Sequence, residues 1–337
     1  MTARASLDPR RASPWYRSLQ RVSFHGDLPW RWLIILMSLL VMLVVVAIGI
    51  QLWRETPMAR STFGWGFLKF TTDASWDPVN NHFEAWPFIY GTLVTSLAAL
   101  ALAVPVSFGI AVFLAEICPA GLRTPLNWLV ELLAAIPSVV YGLWGLFVFL
   151  PVVVAPLGGA LLAALGHIPL LGAFFAGPVP HSGASRLGAA LILTIMITPT
   201  ITAISRDVLQ SIPSSQREAS AALGATQWEG IWQVLLPYGL SGFLGAVILG
   251  LGRALGETMA VTMVIGNSIG GSLSLLRPGY TMASIIANEF AEAVSRLHSE
   301  ALMEIGLVLF FMTLLLNSLA RLLVWRVARR APQEARA

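Results

Sequence analysis

The hydrophobic positions of the chain gather into six long apolar segments separated by polar stretches. The segments cover residues 32–52, 88–115, 128–154, 187–205, 238–265 and 302–324. A helix crosses the hydrocarbon core of a bilayer with about 20 mainly apolar residues, so each segment is predicted to be a transmembrane helix. The pattern therefore predicts an all-α polytopic membrane protein with six spans.

Prolines and glycines interrupt this pattern at several points. Pro105, Pro137 and Pro199 lie inside the second, third and fourth predicted spans, so these helices are expected to be kinked or broken. The segment 156–180 is rich in Gly, Pro and Ala and could form a re-entrant loop or a seventh crossing. Its glycines and Pro169 favour a loop.

A polar island at residues 206–237 separates the fourth and fifth apolar segments. Within it, two pairs have the capping-box spacing, in which a hydroxyl caps a helix and a carboxylate reaches back to the cap: Ser215 with Glu218, and Thr226 with Glu229. Gly224 lies between the pairs, where a left-handed residue commonly ends a helix. Pro237 is predicted to mark the end of the second helix. The island is therefore predicted to be a helical hairpin that a partner protein grips.

The composition supports a membrane protein and excludes several functions. Hydrophobic residues make up 56% of the 337 residues and charged residues 11%, against about 25% charged residues in soluble domains. The excess of basic residues is therefore evidence about the membrane topology, and it gives no reason to expect nucleic-acid binding. Lys69, the single lysine, is followed by Phe70, so the Gly-Lys-Ser/Thr of a phosphate-binding loop is absent and another subunit must bind any ATP. Cys118 is alone and the five histidines are scattered, so neither a disulfide nor a metal site is predicted.

The distribution of basic residues predicts the orientation. Of the 21 basic residues, fourteen lie toward the two ends of the chain (Arg321 at the end of the sixth span among them), in the loop after the second span and in the polar island, six lie in the remaining loops, and Arg253 lies well inside a span. Basic flanks stay in the cytoplasm, and six crossings put both ends on one side, so both termini are predicted to be cytoplasmic. The predicted regions are a basic tail at 1–31, a membrane domain at 32–325 and a second tail at 326–337.

Charged residues also occur inside the fifth apolar segment. A charge at mid-membrane costs about 2.5–3.5 kcal/mol on insertion scales, so such residues usually face a polar interior or a pathway. Arg253 and Glu257 are four residues apart and could pair along one helical face, with the Thr258 hydroxyl nearby. Two interpretations stand: a structural ion pair, or a translocation site in which Arg253 meets an anion and Glu257 holds Arg253 between cycles.

Glu131 is an acidic residue near the start of the third predicted span. Thr124 and Pro125 precede it as a plausible N-cap and first helical position. An acid near a helix start commonly interacts with the helix dipole. We expect this role for Glu131, rather than a contact with basic groups near the polar island.

Motifs along residues 60–325 give the chain a family resemblance. The string Glu218-Ala219-Ser220-Ala221, followed by Gly224 and then Leu236-Pro237, resembles the EAA loop of ABC importer permeases. The strings Gly252 to Val261 and Glu131 to Gly145 resemble PstC-type permeases of phosphate-specific transport systems. Ser220 departs from the second alanine of the EAA pattern, but it remains a small residue.

The resemblance implies a MetI-like permease fold and a role in the ATP-driven import of inorganic phosphate. It implies translocation residues Arg253, Glu257 and Thr258, and residues that couple to an ATPase: Glu218, Ala219, Ala222, Gly224 and Pro237. The implied partners are a PstA-type second permease, a dimer of PstB-type ATPases that binds ATP and Mg²⁺, a PstS-type extracellular phosphate-binding protein, and membrane lipid. No cofactor is expected in this chain itself.

Two other functions remain open from the sequence. An ABC permease for another oxyanion, such as sulfate, molybdate or phosphonate, would keep the polar island and change the chemistry of the fifth span. A secondary anion transporter would need a relay of intramembrane acids or histidines, and away from the ends of the predicted spans the acid found is Glu257, beside Arg253.

Overall fold

In its described residues, the first of two compact units in the chain is a single long helix. The computed structural model describes residues 14–69, 76–169, 172–270 and 272–330, with side chains described between 30 and 326, and the two units divide between Arg54 and Glu55. Helix α1 (Pro14–Arg54) is apolar on all sides over its span Trp30–Arg54, and its side chains there are mostly exposed. An all-round apolar surface is typical of a helix that faces lipid.

The second unit begins with a small cap before its first span. The cap comprises α2 (Pro57–Phe63), a 3₁₀ turn (Gly64–Leu68) and the strands β1 (Trp76–Asp77) and β2 (His82–Phe83). The strands are antiparallel, with Trp76 opposite Phe83. The Trp76 ring packs edge-on against Phe83 and Phe88, with centroid distances of 4.7 and 5.1 Å. These aromatic contacts fasten the cap to the start of the next helix.

The described residues contain six helices long and apolar enough to cross a membrane, so the predicted number of spans is confirmed. Spans 1 to 6 are Trp30–Arg54, Trp86–Ile117, Ser138–Leu165, Arg186–Ser211, Gln227–Gly256 and Arg296–Arg326. The predicted mostly helical fold is confirmed as well.

Spans 2 and 3 combine α-helix with wider π-helical segments. Span 2 joins α3 (Trp86–Val112) to a π segment (Phe113–Ile117). Helix α4 (Ala120–Ala135) follows as a separate helix. Span 3 then joins α5 (Ser138–Trp144), a second π segment (Gly145–Val154) and α6 (Ala155–Leu165). The predicted bounds of span 3, 128–154, are wrong. Ile136 and Pro137 are extended and separate α4 from α5, because the residue before a proline avoids the helical region.

The segment 156–180 is helical in its first part and turns thereafter. Up to Leu165 it completes α6, so the prediction of a loop is wrong there. Gly158 lies inside this helix, where Val179 packs closely against it. A larger residue would crowd this contact, because a Cβ at position 158 would lie only 3.0 Å from Val179 Cγ1. Gly166 and Gly172 lie in turns, as predicted.

Of the three span prolines, only Pro137 lies at a break. Pro105 lies inside α3 and Pro199 inside α7 (Arg186–Ser211), and both helices continue past them. Hydroxyl groups join these two helices close by: Ser107 Oγ donates to the Thr198 carbonyl at 3.1 Å. Such Ser and Thr contacts are common between helices in membranes.

Helix α7 is the most buried of the six spans. In its most apolar window 61% of the residues are buried, against at most 33% in any other span. It packs against α3, α4 and α10 (Leu236–Gly256). Gly250 of α10 permits this contact, because a Cβ there would lie 2.7 Å from Ile201 Cδ1. The core of the second unit is therefore built around α7.

The polar island folds as the predicted pair of short helices. Helices α8 (Ser214–Ala222) and α9 (Gln227–Gly230) are joined by a turn in which Gly224 has φ +83°. Thr226 and Glu229 form the predicted capping box: Thr226 Oγ1 accepts from Glu229 N at 3.3 Å, and Glu229 Oε2 accepts from Thr226 N at 2.8 Å. Both the glycine turn and this cap are confirmed.

The predicted capping box of Ser215 and Glu218 is wrong. Pro213 occupies the N-cap position of α8, and no side chain caps this end. The ring of Pro213 fixes its φ at −56°, its ψ of 141° is extended, and the helix starts at Ser214. Ser215 therefore lies within the first turn, where its hydroxyl is not the cap.

The second arm of the hairpin does not end at Pro237, contrary to the prediction. Helix α9 continues through a π segment (Ile231–Leu235) into α10, and together they form span 5. Pro237 is tolerated because it falls in the first turn of α10, directly after the π segment.

Span 5 ends earlier than predicted. Helix α10 stops at Gly256, and α11 (Met259–Val264) follows after an interruption at Glu257 and Thr258. The chain then continues through α12 (Met282–Glu289) and a 3₁₀ turn (Phe290–Glu292) to α13 (Arg296–Arg330), which contains span 6.

Candidate functional site

The outer face of the hairpin (residues 214–230) presents the residues predicted to meet a partner. Glu218, Ala219, Ala222 and Gly224 are all exposed, and the neighbouring Leu223 is 89% exposed. Small side chains beside a carboxylate and an exposed leucine form a surface that another protein can approach closely. Pro237 is also exposed but lies beyond the hairpin, within span 5.

An ion pair fixes the inner face of the hairpin to the membrane domain. Arg217 of α8 donates from Nε and Nη2 to Glu116 Oε2 and Oε1 at 3.1 and 2.7 Å. The same guanidinium donates to the carbonyls of Leu209 and Ile212 at 2.7 and 2.8 Å. Gln227 Nε2 also donates to the Glu116 carbonyl at 2.9 Å. The end of span 2, the end of span 4 and both arms of the hairpin are thus held together.

A second ion pair joins α4 to α7 just before the hairpin. Arg206 Nη2 lies 3.5 Å from Glu131 Oε1 and 2.8 Å from Asp207 Oδ1. The prediction that Glu131 serves mainly the dipole at a helix start is therefore wrong. Helix α4 begins at Ala120, so Pro125 lies inside it and Glu131 lies well past its first turn. The Glu131 side chain is 56% exposed, and such an exposed pair contributes little to stability.

Arg253 reaches a polar group on the central helix. Its Nη1 donates to Thr200 Oγ1 of α7 at 2.9 Å. The side chain lines a groove of about 1040 Å³ between α10 and α13. We call this volume the groove; its polar lining is Thr200, Arg253, Asn317, Ser318, Arg321 and Trp325, with no carboxylate among the lining residues. An opening with cations and hydrogen-bond donors but no acid favours an anion.

Glu257 and Thr258 lie at the helix interruption and form no described hydrogen bond or ion pair with Arg253. Glu257 has an extended backbone and accepts a hydrogen bond from Ala260 N at 3.2 Å. Thr258 Oγ1 donates to the Gly256 carbonyl at 3.3 Å. No ion pair joins Arg253 and Glu257 within the described residues. Pairing at a spacing of four requires an unbroken helix, and α10 ends between them.

Sequence reasoning missed the partners that fix the two candidate sites. Glu116 is 101 residues from Arg217, and Thr200 is 53 residues from Arg253. An acidic residue at the end of an apolar segment was a visible signal for Glu116. Thr200 lies in a run of threonines on span 4, which gave no signal for its contact with Arg253.

Comparisons with known proteins agree on the family. A family profile described as binding-protein-dependent transport system inner membrane component matches residues 107–331. A phosphate transport system permease protein PstC of Mesorhizobium japonicum is 45% identical over 293 residues, which are 87% of this chain and 88% of the relative. The protein of that name in Xylella fastidiosa strain 9a5c is 47% identical over 263 residues, 78% of this chain and 80% of the relative.

Solved structures agree on the fold. A bacterial alginate ABC transporter in complex with its alginate-bound periplasmic protein aligns with a TM-score of 0.58 at 16% identity, covering 91% of this chain and 99% of that chain. The MetNI methionine ABC transporter in an inward-facing conformation aligns with a TM-score of 0.52 at 18% identity, covering 71% and 93%. The chain therefore belongs to the binding-protein-dependent transport system inner membrane components as a PstC-type permease of MetI-like fold, a multi-pass transport component of the bacterial plasma membrane rather than an enzyme.

Proposed function

We propose that this chain is one permease subunit of an ATP-driven importer of inorganic phosphate. The observation that carries the proposal is the unbroken helical path from the hairpin to Arg253. Span 5 runs from Gln227, inside the hairpin, to Gly256, and at 1.5 Å per residue the path from Gln227 to Arg253 is about 39 Å long. The names of the relatives, which describe phosphate transport, supply the substrate.

The hairpin is the surface that meets a PstB-type ATPase dimer. Its exposed face carries Glu218, Ala219, Ala222 and Gly224, and the Arg217–Glu116 pair holds its opposite face. A force applied to the exposed face is therefore transmitted to spans 2 and 4 as well as along span 5. In this proposal the ATPase binds ATP and Mg²⁺, and the hairpin and both termini are on the cytoplasmic side, the orientation that the basic residues predict.

Arg253 is the cation that phosphate meets in the membrane. In this structure the guanidinium donates one hydrogen bond to the Thr200 hydroxyl, and Glu257 is not its partner. A neutral partner lowers the cost of burying the charge without cancelling it, so the cation stays available to an anion. An incoming phosphate competes with one hydroxyl, which is a weaker partner than a carboxylate.

Glu257 and Thr258 act at the interruption between α10 and α11. Glu257 satisfies the Ala260 N–H that opens α11, and the Thr258 carbonyl accepts from Thr262 Oγ1 at 2.7 Å. We assign to them the role of holding this break in shape beside the pathway. The pathway itself lies between this chain and a PstA-type permease, with a PstS-type protein delivering phosphate from outside.

Co-purification followed by transport tests the proposal. The chain is tagged and isolated from detergent extracts, and the proteins that accompany it are identified. The isolated complex, reconstituted in vesicles, is then tested for ATP-dependent uptake of phosphate, sulfate and molybdate with the matching binding protein added. Isolation with an ATPase and a second permease, and saturable uptake of phosphate, is the expected result. Uptake of sulfate or molybdate in place of phosphate would overturn phosphate as the proposed substrate. Uptake without an ATPase would overturn the assignment to an ATP-driven importer.

A further inference from the structure

The groove contains a second cation that the proposed role of Arg253 does not use. Arg321 lies on α13 and lines the same groove as Arg253 of α10. Within the described residues Arg321 forms no ion pair. Two guanidinium groups share this opening and no carboxylate lines it. The resulting positive potential attracts anions into the groove.

Neutral hydrogen-bond donors accompany Arg321 on its helix face. Asn317 precedes Arg321 by four residues and so lies on the same face of α13, and Ser318 is three residues before Arg321. All three line the groove. An amide, a hydroxyl and a guanidinium together supply the donors that the oxygens of a tetrahedral oxyanion accept.

The position of this group relative to Arg253 follows from the packing of the two helices. Gly252 faces Asn317, since a Cβ on Gly252 would lie 3.9 Å from Asn317 Oδ1. Arg321 is therefore about one helical turn, roughly 6 Å, further along α13 than the level of Arg253. Span 5 leaves the hairpin side of the membrane and span 6 returns to it, so Arg321 lies on the hairpin side of Arg253.

We propose that Asn317, Ser318 and Arg321 form a second oxyanion site, between Arg253 and the hairpin side of the membrane, for a tetrahedral phosphate-type anion. The inference rests on the proposed function. Such a site accepts the anion after Arg253 and lowers the barrier to its release. The same chemistry also fits the phosphate of a lipid headgroup, and the lipid composition of the vesicles distinguishes the two sources.

The test is ATP-driven uptake of radiolabelled phosphate, and in parallel sulfate, by the reconstituted complex with Arg321→Gln. Arg326→Gln is the matched control, because Arg326 is exposed on the same helix and does not line the groove. We expect the maximal rate with Arg321→Gln to fall about tenfold relative to this control, the loss of one charged hydrogen bond. The substrate concentration at half-maximal rate stays unchanged, because the outer part of the pathway is intact. Arg321→Lys restores part of the rate and shows that the complex assembles.

The assay is run in vesicles of phosphatidylglycerol and in vesicles of a phosphate-free galactolipid. A defect in both lipids identifies the transported anion as the occupant, and a defect confined to phosphatidylglycerol identifies the lipid headgroup. Equal rates for Arg321→Gln and Arg326→Gln in both lipids would overturn the second site. Transport of sulfate alone would overturn the proposed substrate and still leave the Arg321 comparison readable.

Discussion

Arg217 and Glu116 form a two-bond ion pair that ties the hairpin to the end of span 2, with distances of 3.1 and 2.7 Å. The Glu116 side chain is 10% exposed and that of Arg217 is 31% exposed. Because the carboxylate is nearly buried, removing either partner leaves a charge without its counter-ion. The contact therefore fixes the geometry of the hairpin as well as its stability.

The first prediction is that Glu116→Gln separates ATP hydrolysis from transport. The hairpin still docks through its exposed face, but its motion no longer moves span 2. We expect the unfolding free energy to fall by about 2 kcal/mol, the scale of a hydrogen bond to a charged group. Uptake falls while ATPase activity of the complex persists. Arg217→Gln and the double variant complete a mutant cycle, and full coupling of ATP hydrolysis to uptake in all three would contradict this role of the Arg217–Glu116 pair.

Gly224 gives the second prediction, through its left-handed backbone. A Cβ at this position meets no atom within 4 Å, so Gly224→Ala is unfavourable only because φ is +83°, at a cost of about 1–2 kcal/mol. We expect Gly224→Ala to weaken recovery of the ATPase with the tagged chain, and Gly224→Asn to weaken it less, because Asn tolerates this region. Gly121→Ala, in open space without a positive φ, is the control. Equal recovery for Gly224→Ala and this control would show that the turn geometry is irrelevant to docking.

The third prediction compares the two hydroxyls at the starts of the hairpin helices. Thr226→Ala removes the cap of α9 and should cost about 1 kcal/mol. Ser215→Ala should cost close to nothing, because no side chain caps α8. Thermal unfolding of the purified complex measures both. A larger shift for Ser215→Ala than for Thr226→Ala would show that the helix starts are assigned wrongly.

Glu257→Gln is the fourth prediction and separates two roles for this residue. The amide oxygen of Gln still accepts from Ala260 N–H, so the break between α10 and α11 is retained. We expect uptake to change by about twofold or less, the scale of a fraction of one hydrogen bond. If Glu257 were the counter-ion of Arg253, neutralising Glu257 would lower uptake much more. A fall in uptake as large as that of Arg253→Gln would restore the ion-pair interpretation.

The sequence reveals what depends on local pattern. The six apolar segments identify the spans because a lipid environment demands a continuous apolar run, and Gly224 with the Thr226–Glu229 box identifies the hairpin because turns and caps are local. The break after Gly256 could not be predicted, because the spacing of Arg253 and Glu257 also fits a pair on one continuous helix.

Contacts between distant segments were the part of the site that pattern could not supply. Thr200 reaches Arg253, and Glu116 reaches Arg217, only once the spans are packed. Pro137 did signal a kink or break in the third apolar segment, but the pattern could not decide that α4 becomes a separate helix while Pro105 and Pro199 stay inside continuous helices. Tertiary packing decides these features.

The most direct measurement of the central claim is the ratio of phosphate imported to ATP hydrolysed by the reconstituted complex carrying Arg253→Gln. Loss of the charged hydrogen bond to the anion should lower uptake by about tenfold or more, with ATPase activity retained, so the ratio falls. Thr200→Val, which removes the hydroxyl partner and leaves the cation, should preserve most of the ratio. Phosphate uptake and a ratio equal to those of the unaltered complex would contradict a pathway that depends on this cation.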